Sequence, residues 1–195
     1  MAELVVLGSG TGVPSLRRGS PGHLLVSESS RVLIDSGPGT LRRMLEAGVT
    51  YQDVDLILCT NINPDHVADL VQFIFASKYA ACPRDRDLLC VGGPGFTDHF
   101  EKLKMVYGSW IKPQTYRLIT REMCEESLLY QDLQIHSKTV AHIPESVGGA
   151  RPILRLDFGK MTAYEVSPKK LPTIAQNQRT KGKNSLYTLR GPSHA

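Results

Sequence analysis

Thr60-Asn61-Ile62-Asn63-Pro64-Asp65-His66-Val67-Ala68-Asp69-Leu70 is the stretch of sequence that decides the fold. It follows an apolar run from Val54 to Cys59, which predicts a buried strand, and it precedes a helical pattern from Val67 to Tyr79. Proteins of the α/β class place their chemistry where a strand ends in polar residues and a helix begins. The stretch therefore predicts an α/β architecture with a site at the carboxyl end of one strand.

The segments before this stretch indicate the kind of sheet. A strand predicted from Glu3 to Leu7 runs into the glycine-rich segment 8–14, but proline and glycine residues follow, so no helix begins there to receive a pyrophosphate. That context excludes a dinucleotide-binding fold. His23 to Val26 and Arg31 to Ile34 predict a hairpin of two further strands. Consecutive short strands before any helix favour an antiparallel or mixed sheet over a doubly wound parallel one.

The rest of the chain continues to alternate helices and strands. Helices are predicted at about 40–47 and 96–106, and strands at 88–91, 116–120 and 133–141. A last hairpin is predicted from 153–158 and 161–164. The 133–141 strand has a period-2 pattern, which predicts that Leu133, Ile135 and Val140 lie on its buried face.

Composition limits the class of protein. The chain of 195 residues is 41% hydrophobic, enough for one domain with a real core. No apolar run is long enough to cross a bilayer, and the N-terminus lacks the basic and apolar regions of a signal peptide. The four cysteines, Cys59, Cys82, Cys90 and Cys124, show no CxxC spacing and are predicted to be buried free thiols. We expect a cytoplasmic protein without membrane contact.

Charge divides the chain into two parts. Residues 161–195 contain six basic residues and one acid, a net of +5, whereas the whole chain carries +4. This composition predicts a domain at 1–164 and a basic, flexible tail at 165–195. Such a tail could contact RNA, although a nonspecific solvated extension has the same composition.

The polar stretch has the spacing of a metal site. Side chains at alternate positions of an extended segment point the same way, so residues 61 and 63 could hold one ion together. Asp65 and His66, at the helix start, could reach a second ion, and His142 follows a strand in a position suited to a further ligand. The alternative is that Asp65 and His66 cap a helix without metal. His23 and His136 are interpreted as packing or surface residues.

Four motifs carry a resemblance to a known family. They are, in chain order, the segments 8–14 (GSGTGVP), 35–39 (DSGPG), 63–70 (NPDHVADL) and 142–146 (HIPES). In these motifs the chain resembles ribonuclease Z-like members of the metallo-β-lactamase superfamily. The resemblance implies an αβ/βα sandwich with mixed sheets, here C-terminally incomplete, and a two-zinc site along one edge of two packed sheets. It also implies a phosphodiesterase that trims the 3′ end of precursor tRNA, and relatives that often form homodimers.

The resemblance also assigns roles to individual residues. It makes Asp65 the group that positions or deprotonates the attacking water, His66 a ligand of the second metal, and His142 a ligand of the first. Asp35 is implied to support the site from behind. Asn61 and Asn63 stand where the family has histidines, and an amide oxygen suits calcium better than zinc.

Further departures leave the function open. After Tyr164 the family has an aspartate that bridges the metals, whereas Glu165-Val166-Ser167-Pro168 follows here, and Glu165 is only a candidate substitute. His194 is not a convincing match to the last histidine ligand. Three ligand positions remain from the family's seven. The leading hypothesis is a hydrolase with weak or absent zinc binding. The alternatives are a catalytically inactive binding or dimerisation partner and an RNA-binding module.

Overall fold

The computed structural model describes residues 2–79, 83–140, 153–157 and 188–190. Ten strands and three α-helices are present in these ranges, together with a short 3-10 helix after the third α-helix. In chain order they are β1 (Glu3–Gly8), β2 (Gly22–Val26), β3 (Arg31–Ile34), α1 (Thr40–Glu46), β4 (Leu56–Cys59), α2 (Pro64–Tyr79), β5 (Leu88–Gly92), α3 (Phe96–Tyr107), the 3-10 helix (Gly108–Ile111), β6 (Leu118–Glu122), β7 (Ser127–Tyr130), β8 (Leu133–Val140), β9 (Ile153–Asp157) and β10 (Thr188–Arg190).

Two sheets form the framework. The larger has seven strands in the order β10-β1-β2-β3-β4-β5-β6, and the smaller has three in the order β7-β8-β9. β1 to β3 pair antiparallel, whereas β3 to β6 pair parallel, with α1, α2 and α3 in the connections. The prediction of a mixed sheet is therefore confirmed. The carboxyl ends of β3, β4 and β5 meet at one edge of the large sheet, and this edge carries the polar stretch.

Each face of the large sheet is covered by a different layer. One face packs under the helices, where Met44, Leu70, Phe73 and Phe100 are fully buried. The other face packs against the small sheet, which contributes Leu133 and Ile135, as their period-2 pattern predicted. Burial of this kind stabilises by roughly 25 cal/mol per Å² of apolar surface. The result is a layered helix–sheet–sheet arrangement.

Element boundaries differ from the predictions in a few places. α2 begins at Pro64 rather than Val67, because proline is well suited to the first position of a helix. β6 begins at Leu118 rather than Tyr116, and β7 was not predicted. Cys59 and Cys90 are buried free thiols, as predicted, and burial raises the pKa of Cys90 to about 12. Cys124 is exposed, so its predicted burial was wrong. Cys82 lies outside the described residues.

Part of the segment predicted as a flexible tail forms a strand. Thr188–Arg190 makes β10, which pairs antiparallel with Glu3–Val5 of β1. The second half of the last predicted hairpin, 161–164, lies outside the described residues. In the part of the chain that the structure describes, no helix combines the length and hydropathy needed to cross a membrane.

Candidate functional site

Asp35 lies immediately after β3, in a backbone conformation that side chains rarely adopt. Its φ is +59°, in the left-handed region, and its N–H donates to the carbonyl of Leu58 on β4 at 2.8 Å. A non-glycine residue in this region costs about 1–3 kcal/mol and persists where the surroundings enforce it. The conformation turns the Asp35 side chain, which is 4% exposed, away from the strand and towards the end of β4.

Asp35 holds both Thr60 and His66. Its Oδ1 accepts hydrogen bonds from the backbone N–H of Thr60 at 2.8 Å, and the Thr60 hydroxyl lies within 3.0 Å of both carboxylate oxygens. Its Oδ2 lies 2.8 Å from Nδ1 of His66. A carboxylate hydrogen-bonded to one ring nitrogen fixes the orientation of a histidine and the proton on that nitrogen. Asp35 therefore fixes the orientation of the His66 ring, and its carboxylate is itself held by Thr60.

His66 presents its other ring nitrogen to Asp65. When Nδ1 donates to Asp35, the lone pair of the neutral ring is on Nε2, which lies 3.6 Å from Oδ2 of Asp65. Burial on its own lowers the pKa of His66, yet the hydrogen bond with Asp35 and the charges of Asp35 and Asp65 outweigh it, so the pKa lies above its ordinary value. The carboxylate of Asp65 and Nε2 of His66 thus lie next to one another.

The loop after Asp35 is locked onto the first turn of α2. Ser36 N–H donates to the carbonyl of His66 at 2.6 Å, and Asp69 N–H donates to the carbonyl of Ser36 at 2.9 Å. A Cβ at Gly37 would collide with the backbone carbonyl of Asp65, so only glycine allows this approach. Four backbone positions thereby fix where Asp65 and His66 stand relative to Asp35.

Asp69 caps the neighbouring helix α1 across the loop. Its Oδ2 accepts a hydrogen bond from the backbone N–H of Leu41 at 3.0 Å, at a helix start whose preceding residue, Gly39, has no side chain to cap it. Burial raises the pKa of Asp69, and its backbone hydrogen bonds partly oppose that shift. No local pattern predicts this role, because the cap comes from another helix.

Asn61 is bonded to the backbone of Asn63. Oδ1 of Asn61 accepts a hydrogen bond from the backbone N–H of Asn63 at 2.8 Å in a local turn, which uses one of the two lone pairs of the amide oxygen. The carbonyl of Asn63 accepts from the N–H groups of His66 and Val67, so the residue lies just before the helix, and its side chain is exposed. His142, predicted as a ligand of the first metal, lies outside the described residues.

His23, which we interpreted as a packing or surface residue, is half-buried beside the site. It lies on β2 opposite Ile34, the residue before Asp35. Burial lowers the pKa of His23, Asp35 opposes that shift, and His66 adds to it, so its charge is coupled to both. Its place on a strand gave no sequence signal for this contact.

The described donors do not fit a two-zinc centre. A zinc ion is normally held by three or four protein ligands. In the residues that the structure describes, no group of three or more histidine, cysteine, aspartate or glutamate side chains is arranged to hold a metal ion. Asp65 and His66 supply two ligands, and the Asn61 amide oxygen is already bonded. We derive no step through zinc from this set.

Replacing Asp35 by asparagine is expected to lower the pKa of His66, because the carboxylate that stabilises the imidazolium is lost. The measurement is an NMR titration of the histidine ring protons with metal removed by chelator, and a His66→Asn spectrum assigns the signal. Asp65→Asn is the matched control, with a smaller decrease expected because Asp65 makes only a 3.6 Å approach. Equal shifts in the two variants would contradict the orientation of the His66 ring described above.

The chain is similar in sequence to a family model and to known ribonuclease Z proteins. Residues 2–91 match the family model described as anti-Pycsar protein Apyc1. A ribonuclease Z of Methanopyrus kandleri is 49% identical over 71 residues, which are 35% of this chain and 25% of that protein. A ribonuclease Z of Clostridioides difficile is 27% identical over 190 residues, which are 94% of this chain and 59% of that protein. The chain thus spans less than two thirds of the length of either relative.

The solved structures show the same fold. The metallo-β-lactamase fold protein YhfI from Bacillus subtilis superposes with a TM-score of 0.61 at 20% identity, covering 82% of this chain and 59% of that one. At such low identity the match concerns the fold alone. The mixed sheet packed against a smaller sheet, with its polar edge at Asp35 and Thr60, is therefore a metallo-β-lactamase fold.

Proposed function

We propose that this chain, as a ribonuclease Z-like member of the metallo-β-lactamase superfamily, is a phosphodiesterase of the ribonuclease Z type. Its metal site is impaired. The observation that carries the proposal is the Asp35–His66–Asp65 arrangement, kept beside an Asn61 amide that is bonded to the backbone. Its substrate would be a tRNA-like RNA with a 3′ extension, in the cytoplasm, and the active form would be a homodimer.

The residues would divide the work as follows. Asp65 is the catalytic residue and accepts the proton of the attacking water. His66, oriented by Asp35, stands beside it with Nε2 directed to the same space. Asp65, His66 and His142 would be the remaining zinc ligands, and Asn61 and Asn63 the degenerate positions. The domain would be 1–164, with 165–195 as a basic extension that brings RNA to it.

Zinc content and cleavage test the proposal together. We expect purified protein to contain clearly less than one zinc ion per chain by mass spectrometry of the metal. We expect slow cleavage of a precursor tRNA bearing a 3′ trailer, abolished by Asp65→Asn. About two zinc ions per chain with rapid turnover would show an intact enzyme and contradict the impaired site. Cleavage that survives Asp65→Asn would contradict the catalytic role of Asp65.

A second candidate function is RNA binding without catalysis, favoured by the net charge of +5 on residues 161–195. Deleting the tail would also remove β10 from the sheet. Glutamine at Lys169, Lys170, Lys181 and Lys183 removes charge while β10 stays. A steep salt dependence of RNA affinity that this variant loses, with no cleavage in either protein, would favour the binding module.

A further inference from the structure

β6 is the outer strand of the large sheet on the side away from β10. In the described part of the chain it pairs only with β5, in parallel. Leu88 N–H donates to the Arg117 carbonyl, and Met123 N–H donates to the Gly92 carbonyl, each at 2.9 Å, so the odd-numbered residues face β5. Alternate residues of a parallel strand direct their N–H and C=O groups to opposite sides. Leu118, Thr120 and Glu122 therefore direct their backbone N–H and C=O groups away from β5.

A cavity opens at the beginning of this strand. Its volume is about 520 Å³, and it is lined by Leu118, the first residue of β6, together with Ile111, Pro113 and Tyr116. The Tyr116 hydroxyl is bonded to Oγ of Ser77 at 2.7 Å, so the ring offers an apolar wall. Cavities of this size with apolar walls accept side chains or small ligands. An outward-facing strand edge with an apolar cavity beside it is the arrangement that proteins use to bind extended peptides.

The rim of the cavity carries cations, most of which are paired. Of the four lysines and arginines in residues 102–117, three form ion pairs: Lys102 with Asp98, Lys104 with Glu101 and Arg117 with Asp87. Lys112 also lines the cavity, and its exposed ammonium pairs with none of the described carboxylates. The positive charge of Lys112 therefore favours an occupant that brings negative charge beside the cavity.

We propose that β6 binds an extended acidic segment of a partner protein, which adds a strand along the outward groups of Thr120 and Glu122 and places an apolar side chain in the cavity. RNA would satisfy the charge but would leave the strand edge unused. The cavity lies at the amino end of β6, opposite the sheet edge that carries Asp35 and Thr60, and the proposal uses none of the candidate site residues, so it does not depend on the phosphodiesterase proposal.

Trp110 gives a direct readout. It is the only tryptophan of the chain, is 56% exposed and belongs to the 3-10 helix beside the cavity. The probe is a twelve-residue peptide of alternating aspartate and leucine, without tryptophan, and its control replaces every aspartate by lysine. We expect the acidic peptide to change Trp110 fluorescence saturably and the lysine peptide to leave it unchanged. Equal binding of both peptides would overturn the proposal.

Two variants and one control separate the contribution of the β6 strand edge to peptide binding from that of the Lys112 charge. Thr120→Pro removes an outward N–H that β5 does not use, which an edge strand tolerates, and should weaken binding about tenfold. Lys112→Glu should weaken it to a similar extent, whereas Lys138→Glu, the same charge change on the small sheet, should alter affinity less than about twofold. Equal losses in the two lysine variants would show nonspecific attraction and overturn the proposal.

Hydrogen exchange tests the strand itself. On peptide binding, the amides of Thr120 and Glu122 should gain protection, while those of Ile119 and Arg121, already bonded to β5, should stay unchanged. A single-stranded RNA that displaces the peptide and is lost with Lys112→Glu would reassign the surface to RNA. Concentration-dependent dimerisation that Thr120→Pro abolishes would reassign it to a second copy of the chain. Either result would overturn the proposal.

Discussion

Replacing both Asn61 and Asn63 by histidine is expected to raise the zinc affinity of the protein by at least about 100-fold, since even residues one shell away from a metal change affinity by roughly 10–100-fold. The physical reason is ligand chemistry. Imidazole nitrogen is a good zinc donor, whereas the Asn61 amide oxygen is a weak one and is bonded to the Asn63 N–H. The two new imidazoles would lie beside Asp65 and His66. Equilibrium dialysis against zinc, with metal quantified by mass spectrometry, measures the change.

A matched control excludes nonspecific binding by added histidines. The chain has two other asparagines, Asn177 and Asn184, and histidine at both leaves the candidate site unaltered. This control should bind no more zinc than the parent. If the Asn61/Asn63 variant binds no more zinc than the control, the metal site is not at the carboxyl end of β4. Activity is a separate question, because the family's bridging carboxylate would still be absent.

Replacing Arg84 by methionine is expected to lower the free energy of unfolding by about 3–5 kcal/mol, because several carbonyls that bond its buried side chain lose a donor and each unsatisfied buried group costs roughly 1–3 kcal/mol. Arg84 is 1% exposed. Its guanidinium donates to backbone carbonyls of Tyr51, Arg86 and Asp87 at 2.6–2.8 Å, and it lies over the Tyr116 ring at 5.5 Å. Methionine keeps the unbranched apolar stem of the side chain but leaves three carbonyls without the Arg84 donors. Urea unfolding followed by circular dichroism gives the difference.

Arg121→Met is the control for the loss of an arginine. Arg121 is 41% exposed and pairs with Glu126 at 3.0 Å, so its loss should cost less than about 1 kcal/mol. A difference of under about 1 kcal/mol between the two variants would mean that the Arg84 hydrogen bonds contribute little. Should Arg84→Met not fold, Arg84→Lys, which keeps the charge but can satisfy fewer of the carbonyls, should be intermediate.

Local sequence signals predicted the framework well where they are strong. The apolar run that ends at Cys59, the glycine after α1 and the alternation along β8 each located an element. β7 was missed because it is short and its hairpin turns through Gln131, which has a positive φ of 51° without being glycine. Turn prediction depends on residues that favour that conformation, and glutamine gives no such signal.

In the candidate site too, the residues with local sequence signals were predicted and those without such signals were not. Asp35, Asp65 and His66 were found because their motifs are local, and the structure brings them together. The roles of Thr60, Asp69 and Arg84 were not predicted from the sequence. Each forms a hydrogen bond with a residue more than twenty positions away in the chain, which local patterns do not reveal. That residues 61 and 63 stand at degenerate ligand positions stays a prediction; in the structure Asn61 bonds the backbone of Asn63, as an asparagine before a helix commonly does.

The pairing of β1 with β10 also sets a timing for synthesis. Glu3 lies opposite Arg190, 187 positions later, so this pairing closes the longest loop in the described sheet. A ribosome adds about 5–20 residues per second, which places the arrival of the last strand roughly 10–40 seconds after the first has emerged. Until then, one border of the nascent sheet has no neighbour and could recruit other chains. A peptide with the sequence of β10, added during translation, should pair with this border and reduce the binding of chaperones to the nascent chain.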